Sequence, residues 1–167
     1  MEGVRLAADG DLPELTRLAE LARRELGVER GGPLWQLLHG RPDPLAATLS
    51  ADLAEASTDG GIVLVATFTE AAGGYAVAHR EPLGDGTAIA VVTDIYVELG
   101  FRGLGLGGAL MDQVMAWAVT HGCRGVDALA LPGMRHSKNF FERFGLTARA
   151  ILVHKDLRPA VSGTEGG

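Results

Sequence analysis

The sequence predicts an α+β fold: a mixed, mostly antiparallel central sheet flanked by helices. Three observations carry this. Residues 12–56 are dominated by helical periodicity. Residues 62–68 and 74–80 are short apolar runs joined by a glycine-containing turn, the signature of a hairpin. Beyond them lies one strand, glycine-rich turn, helix and strand, which supplies a single late crossover rather than the repeated βαβ units of a doubly wound sheet.

The elements follow in order. Residues 4–6 begin as a short strand. The helix after them has Asp11 and Glu14 at capping-box spacing and Pro13 in its first turn. Leu15, Leu18, Ala22 and Leu26 form its apolar face. "GVERGGP" ends it. A second helical region is broken at Pro42 and Pro44 and resumes over Leu45, Leu49, Leu53 and Ala56. "IVLVATF" and "GYAVAHR" are the hairpin strands. Residues 87–97, "TAIAVVTDIYV", form the longest and most apolar strand, which places it centrally. A helix runs to about His121, residues 124–131 form a further strand, "SKNFFERFG" is a short helix ended by Gly145, and 148–157 read as a last strand. Residues 1–158 make one domain, and the Gly/Ser/Glu-rich 159–167 a disordered tail.

Bulk properties narrow the function. A chain of 167 residues, 47% hydrophobic and 22% charged, suits one soluble domain with a real core. A net charge of -6 argues against a nucleic-acid partner. An acidic surface suits a cationic amine as readily as it suits ordinary solubility. The single cysteine, Cys123, forms no internal disulfide and sits among apolar neighbours, which fits a small buried residue in a reducing compartment. The acidic, broken N-terminal stretch is unlike a signal peptide, and no run of 18 apolar residues exists for a membrane span. The chain reads as cytoplasmic, with no membrane or nucleic-acid partner. Five scattered histidines lack the spacing of a zinc site, so no metal is expected. No Gly-x-Ser-x-Gly elbow is present.

The most informative stretch is "FRGLGLGGALMDQV", with four glycines at 103, 105, 107 and 108, just where a helix begins. Glycine inside a helix costs about 1 kcal/mol relative to alanine. That cost is tolerable if the loop binds an anion. The first N–H groups of a helix have no internal partner, and glycine lets backbone approach a phosphate closely. Arg102 adds a cation suited to phosphate. Gly103, Gly105 and Gly108 also satisfy the dinucleotide fingerprint, with Asp127 about 20 residues further on. That reading needs a parallel βαβ start, which the preceding hairpin denies. The Walker A pattern is absent.

"YVELGFRGLGLGGALMDQVMAWA" resembles the acyl-CoA-binding motif of the GNAT superfamily of N-acyltransferases, Arg/Gln-x-x-Gly-x-Gly/Ala after a central strand, here Arg102, Gly105 and Gly107. "VRLAADGDLPEL" is similar to that family's first strand and helix, and "SKNFFERFGL" to its late helix, so the resemblance covers roughly residues 3 to 157. It implies acetyl-CoA as co-substrate, with the pyrophosphate on Arg102, Gly103, Leu104, Gly105, Leu106, Gly107 and Gly108, mainly through backbone N–H groups. It implies a bulge in the central strand where that strand splays from its neighbour. Backbone around Val97 would bond the acetyl carbonyl and the pantetheine arm, with Leu99 a further backbone contact. Asn139 and Phe140 would line the pantetheine channel. An N–H aimed at the acetyl oxygen also stabilises the oxyanion of acyl transfer.

A base is needed to free the acceptor amine. Asp94 and Tyr96 share one face of the central strand, and Glu98 lies beside the implied bulge; these three are the candidate catalytic groups. One departure stands out. Many family members place a tyrosine, as general acid, where this chain has Phe141. Tyr96, Ser137 and His136 are the substitutes in view. The resulting reading is an N-acetyltransferase acting on a small-molecule or peptide amine by direct attack, with a CoA-binding sensor as the alternative. The apolar "AILV" near the C-terminus could pair across a homodimer.

Overall fold

Two apolar faces of one sheet decide the architecture. The computed structural model describes residues 2–131 and 134–158. Strand β1 (Glu2–Leu6) leads through a short 3-10 turn into helix α1 (Leu12–Gly27), followed by α2 (Gly32–His39) and α3 (Leu45–Ala56). Strands β2 (Gly61–Phe68), β3 (Ala71–Pro82) and β4 (Ala88–Val97) form a meander, and α4 (Leu106–Thr120) crosses over to β5 (Val126–Ala128) before α5 (Arg135–Arg143). The strand order is β1-β2-β3-β4-β5, antiparallel except for the parallel β4–β5 pair. On one face Val63, Tyr75, Val77 and Tyr96 pack under Leu15 and Leu18 of α1 and Leu49 and Leu53 of α3. On the other, Leu64, Ala76, Ala78 and Val92 pack under Leu106, Leu110 and Val114 of α4. Of the described residues, no helix is long and apolar enough to cross a membrane.

Several details depart from the sequence reading. Asp11 does not cap α1 with its side chain. It accepts from the Ala8 N–H at 2.8 Å and from both terminal nitrogens of Arg5 at 2.7 Å, while Glu14 pairs with Arg17. The β2–β3 turn is tighter than expected, made by Thr69 and Glu70 at positive φ, so β3 begins at Ala71. Gly73 follows because a Cβ there would lie 2.4 Å from the Phe101 ring. β5 is three residues long, not eight.

The strand expected over 148–157 does not form. Ile151, Leu152 and Val153 are exposed, and the segment is tied to β5 by the Arg149–Asp127 ion pair rather than by a backbone ladder. A three-residue strand gives too short a template to order a ten-residue partner. The expected tail at 159–167 lies outside the described residues.

Candidate active site

The site is made by one extra residue in β4. The β3–β4 register shifts between Val77 and Ala78, whose partners are Asp94 and Val92, so Thr93 is a bulge. Side chains alternate along a strand, and one inserted residue inverts the alternation. Val92 faces α4, and beyond the bulge Ile95 and Val97 again pack on that side. Asp94 and Tyr96 are thereby turned to the α1 face, as the sequence reading placed them relative to each other. The bulge falls earlier than the region around Val97 where the family resemblance suggested it. It lies one residue past the last β4–β5 pair, Val92 with Ala128.

Beyond Val92, β4 therefore has an edge that β5 has left. The Glu98 N–H donates to Gly73 O on β3 at 2.9 Å. A strand residue directs its N–H and C=O to the same side, and successive residues alternate. The Val97 N–H and C=O accordingly point to the vacated edge. A Cβ on Gly107 would meet the Phe140 ring at 3.4 Å and Val97 Cγ2 at 3.6 Å. Three residues singled out separately in the sequence, Val97, Gly107 and Phe140, thus meet at one point. Leu99 opens the short 3-10 turn after β4 and is exposed, as is Asn139 on α5.

The glycine loop has the geometry of an anion site. Gly103 and Gly105 lie at φ 84° and 81°, which favours glycine at both. Gly105 is the N-cap residue of α4, and no side chain caps that end. The first helical bond is Ala109 N–H to Gly105 O, so Leu106, Gly107 and Gly108 keep N–H groups without a helical partner. Cβ atoms built on Gly103, Gly105 and Gly108 meet nothing within 4 Å. The helix dipole adds partial positive charge there. Backbone donors, open space and dipole together fit a pyrophosphate. Leu104 and Leu106 line a small depression beside the loop, with Gly3 and Ala109.

The Arg102 side chain does not face that loop. Its Nε donates to Val97 O at 2.9 Å and a terminal nitrogen to Glu25 at 2.6 Å. Its guanidinium also lies 5.7 Å from the centre of the Tyr96 ring. The Tyr96 hydroxyl donates to the other Glu25 oxygen at 2.6 Å. Burial first, and then the Glu25 carboxylate, push the Tyr96 hydroxyl up to about 12. Burial works against the Glu25 charge, but Tyr96 and Arg102 outweigh it and hold the carboxyl below its ordinary range.

The other two candidate acids are also engaged. Asp94 pairs with Arg41 through one oxygen and accepts the Tyr75 hydroxyl at 2.9 Å through the other. Arg41 also pairs with Asp52 of α3, so one half-buried guanidinium joins two carboxylates. Burial works against the Arg41 charge, yet Asp94 and Asp52 hold it above its ordinary value. Glu98 accepts from Arg17 at 2.9 Å through a single oxygen, and Arg17 is fixed further by Glu14 and Ala72 O. Glu98, Arg17, Arg5, Asp11 and Glu70 belong to a polar cleft of about 500 Å³. Phe141 is buried edge-on against Phe140, so no hydroxyl stands at that position.

Sequence reasoning missed Glu25, Arg41, Arg17 and the group Asp52, Glu55 and His79. In that group one ligand atom from each residue lies within 4.8 Å of the others. The Arg41 charge on Asp52 works against a cation there. Nothing local marks these residues: Glu25 lies on a polar helix face, and Arg41 stands between Gly40 and Pro42 in a connection without periodicity.

The fold is that of an acetyltransferase. A model of the acetyltransferase (GNAT) family matches residues 16–146, and the chain belongs to that family. No curated protein sequence matches it significantly. Solved structures share the fold over nearly the whole chain. Glucosamine-6-phosphate N-acetyltransferase from Arabidopsis thaliana aligns with TM-score 0.66 and 18% identity over 95% of this chain and 99% of its own. AAC(6')-Iy, in complex with the bisubstrate analogue CoA-S-monomethyl-acetylneamine, aligns with TM-score 0.70 and 20% identity over 95% and 99%. A transcriptional regulator from Bacillus halodurans aligns with TM-score 0.67 and 19% identity over 93% and 99%.

Proposed function

We propose that residues 1–158 form one N-acetyltransferase unit that moves an acetyl group from acetyl-CoA to a primary amine by direct attack. The observation that carries this is the uncapped, glycine-lined start of α4, which lies against the Val97 side chain and the Phe140 ring beside the β4 edge to which the Val97 N–H points. The pyrophosphate of acetyl-CoA sits on the backbone of residues 102 to 108, and Leu99, Asn139 and Phe140 border the pantetheine arm. The thioester oxygen takes the Val97 N–H. The amine nitrogen attacks the carbonyl carbon, the oxyanion gains that N–H, and collapse forms the amide and expels the CoA thiolate.

Of the three acids, Glu98 suits the base. Only one of its oxygens has a donor among the described residues, and it adjoins Val97. Asp94, closed by Arg41 and Tyr75, is the positioning group that fixes β4. Tyr96 is a weak acid for the thiolate while Glu25 keeps its hydroxyl up at about 12. With Phe141 in the usual acid position, the departing thiolate takes its proton from water. No resident metal enters this scheme. A second reading, a CoA-binding sensor with little turnover, is favoured by Phe141 alone. The lone Cys123 suits a reducing cytoplasm, and the exposed Ile151–Val153 run is the candidate contact for a homodimer.

Calorimetric titration with acetyl-CoA, against NADH as control, tests the loop. Thiol release with a panel of primary amines then separates enzyme from sensor. Binding of acetyl-CoA but not NADH, with amine-dependent thiol release, is the expected result. Absent acetyl-CoA binding refutes the proposal, and tight binding without turnover favours the sensor.

A further inference from the structure

Three arginines lie along the polar face at the end of β4, and they are not equally fixed. Arg41 is half-buried and bridges Asp94 to Asp52. Arg17 is held by Glu14, Glu98 and the Ala72 carbonyl. Arg102 comes from the glycine loop itself, is about half exposed, and has two partners, Glu25 and Val97 O. Its second partner is the backbone of the residue whose N–H the thioester needs. In this state the Arg102 guanidinium lies across the vacated edge of β4. Acetyl-CoA bound there must displace it.

The displaced arginine has somewhere to go. A pyrophosphate on residues 102 to 108 would stand beside the Arg102 backbone, and guanidinium pairs with phosphate by the same charge-assisted, bidentate geometry that it uses for carboxylate. Glu25 would then lose its cation. Its carboxylate is held partly out of water, one oxygen still taken by the Tyr96 hydroxyl and the other bare. It would lie within the span of one guanidinium from Val97 O. A carboxylate so placed has the charge and reach to take an ammonium group.

We infer that Glu25 is the subsite for the acceptor's ammonium group, and that Arg102 occupies it as a built-in stand-in until acetyl-CoA draws Arg102 to the phosphate. This rests on the reading of the glycine loop as the CoA site. It assigns the acceptor class as a protonated amine, collected beside Val97 before its proton is lost. Tyr96 acts as a positioning residue that orients the Glu25 carboxylate.

The test uses Glu25→Gln and Glu25→Asp in the full chain, with thermal melts to verify the fold. In Glu25→Gln, acetyl-CoA no longer breaks an ion pair to enter. Calorimetry should show it binding roughly two- to fivefold tighter than to the wild type, the range open to a half-exposed pair. Benzylamine, tyramine and spermidine serve as amine probes at saturating acetyl-CoA. KM for whichever is acetylated should rise about tenfold or more in Glu25→Gln, as for loss of a hydrogen bond to a charged group, with kcat within about twofold. Glu25→Asp should recover part of KM. Equal or weaker acetyl-CoA binding by a folded Glu25→Gln overturns the stand-in, and an unchanged amine KM overturns the subsite. If no probe amine turns over, calorimetric titration of spermidine into the CoA-loaded wild type and Glu25→Gln decides the subsite, and equal affinities overturn it. If the wild type binds no acetyl-CoA, the loop reading itself has failed, a result distinct from either.

Discussion

Arg41→Met removes the cation that joins α3 to β4. The Arg41 side chain is 13% exposed, and its partners Asp52 and Asp94 are 13% and 18% exposed. Taking one partner from a buried pair costs about 3–5 kcal/mol, because a desolvated charge is left behind. The partial exposure here places the loss near 3 kcal/mol. Something is returned: the buried Arg41 Nε has no hydrogen-bond partner among the described residues, and removing it relieves about 1 kcal/mol. The net loss is then about 2 kcal/mol, which for a chain of this length lowers Tm by roughly 4–8 °C. The pH dependence has a definite sign. Burial already holds the Asp52 carboxyl above its ordinary range, and in the variant it loses the guanidinium that opposed this, keeping only His79 at 3.6 Å, so its folded pKa rises further above the unfolded one. A raised pKa means the folded state binds more protons, so the variant recovers stability as pH falls through that range. Differential scanning calorimetry at pH 7 and pH 5 should show the deficit shrinking at the lower pH. Adding Asp52→Asn and Asp94→Asn to Arg41→Met should recover at least half of the loss. A Tm change below about 2 °C, or an equal deficit at both pH values, would refute the triad as a charged, desolvated unit.

Four further outcomes follow from the geometry. Gly108 has no positive φ and open space around its missing Cβ, so Gly108→Ala should stabilise α4 by about 1 kcal/mol in a thermal melt. Gly108→Glu should keep the fold yet lower acetyl-CoA affinity at least tenfold; Gly105 is the poorer choice because its φ of 81° strains any side chain. Burial and Asp94 raise the Tyr75 hydroxyl, and burial and Glu25 raise Tyr96 to about 12. Both tyrosines of the chain should therefore stay protonated near pH 10.5 in a spectrophotometric titration, and stability should fall as pH rises toward 12, since a raised pKa stabilises only while the proton is held. A normal titration of either would contradict its hydrogen bond to Asp94 or Glu25. Phe141→Tyr should raise kcat if thiolate protonation limits turnover, and its buried ring edge makes a stability cost of about 1–3 kcal/mol the companion observation; an unchanged kcat places the slow step elsewhere.

What was legible in the sequence was whatever local pattern encodes. Leu15 and Leu18, Leu45, Leu49 and Leu53, and the apolar run of β4 showed their buried faces through periodicity, and the glycines at 103 and 105 showed a backbone that other residues resist. The sixth strand failed because an apolar run such as Ile151–Val153 makes a strand only with a partner edge, and the length of β5 is not written in residues 148–157. The bulge at Thr93 could not be located either, since an alternating apolar strand reads alike with or without one inserted residue. The arginine partners lay furthest out of reach. Arg41 meets Asp94 across 53 residues, Arg17 meets Glu98 across 81, and Glu25 meets Tyr96 and Arg102 across 71 and 77. Only the tertiary fold sets such pairings.

The bulge also explains how an open strand edge is tolerated in mid-sheet. β4 gives up its neighbour at Val92, and each backbone group left unpaired away from water carries a cost of about 1–3 kcal/mol. Thr93 inverts the alternation at that same place, so the groups facing the vacated edge belong to Ile95 and Val97, whose side chains pack toward α4. The polar side chains at Asp94 and Tyr96 are carried to the opposite face, where Arg41 and Glu25 satisfy them. One inserted residue thus does two things. It frees the Val97 N–H for a ligand, and it assembles acids near that N–H without placing them in the apolar contact with α4. Among the described residues, Val97 O is the edge group answered by a side chain, and that side chain is Arg102. The residue that closes the edge therefore comes from the glycine loop proposed to hold the phosphate. On the proposed role of that loop, closure and cofactor binding are opposed, because the same arginine cannot serve the Val97 carbonyl and a pyrophosphate at once.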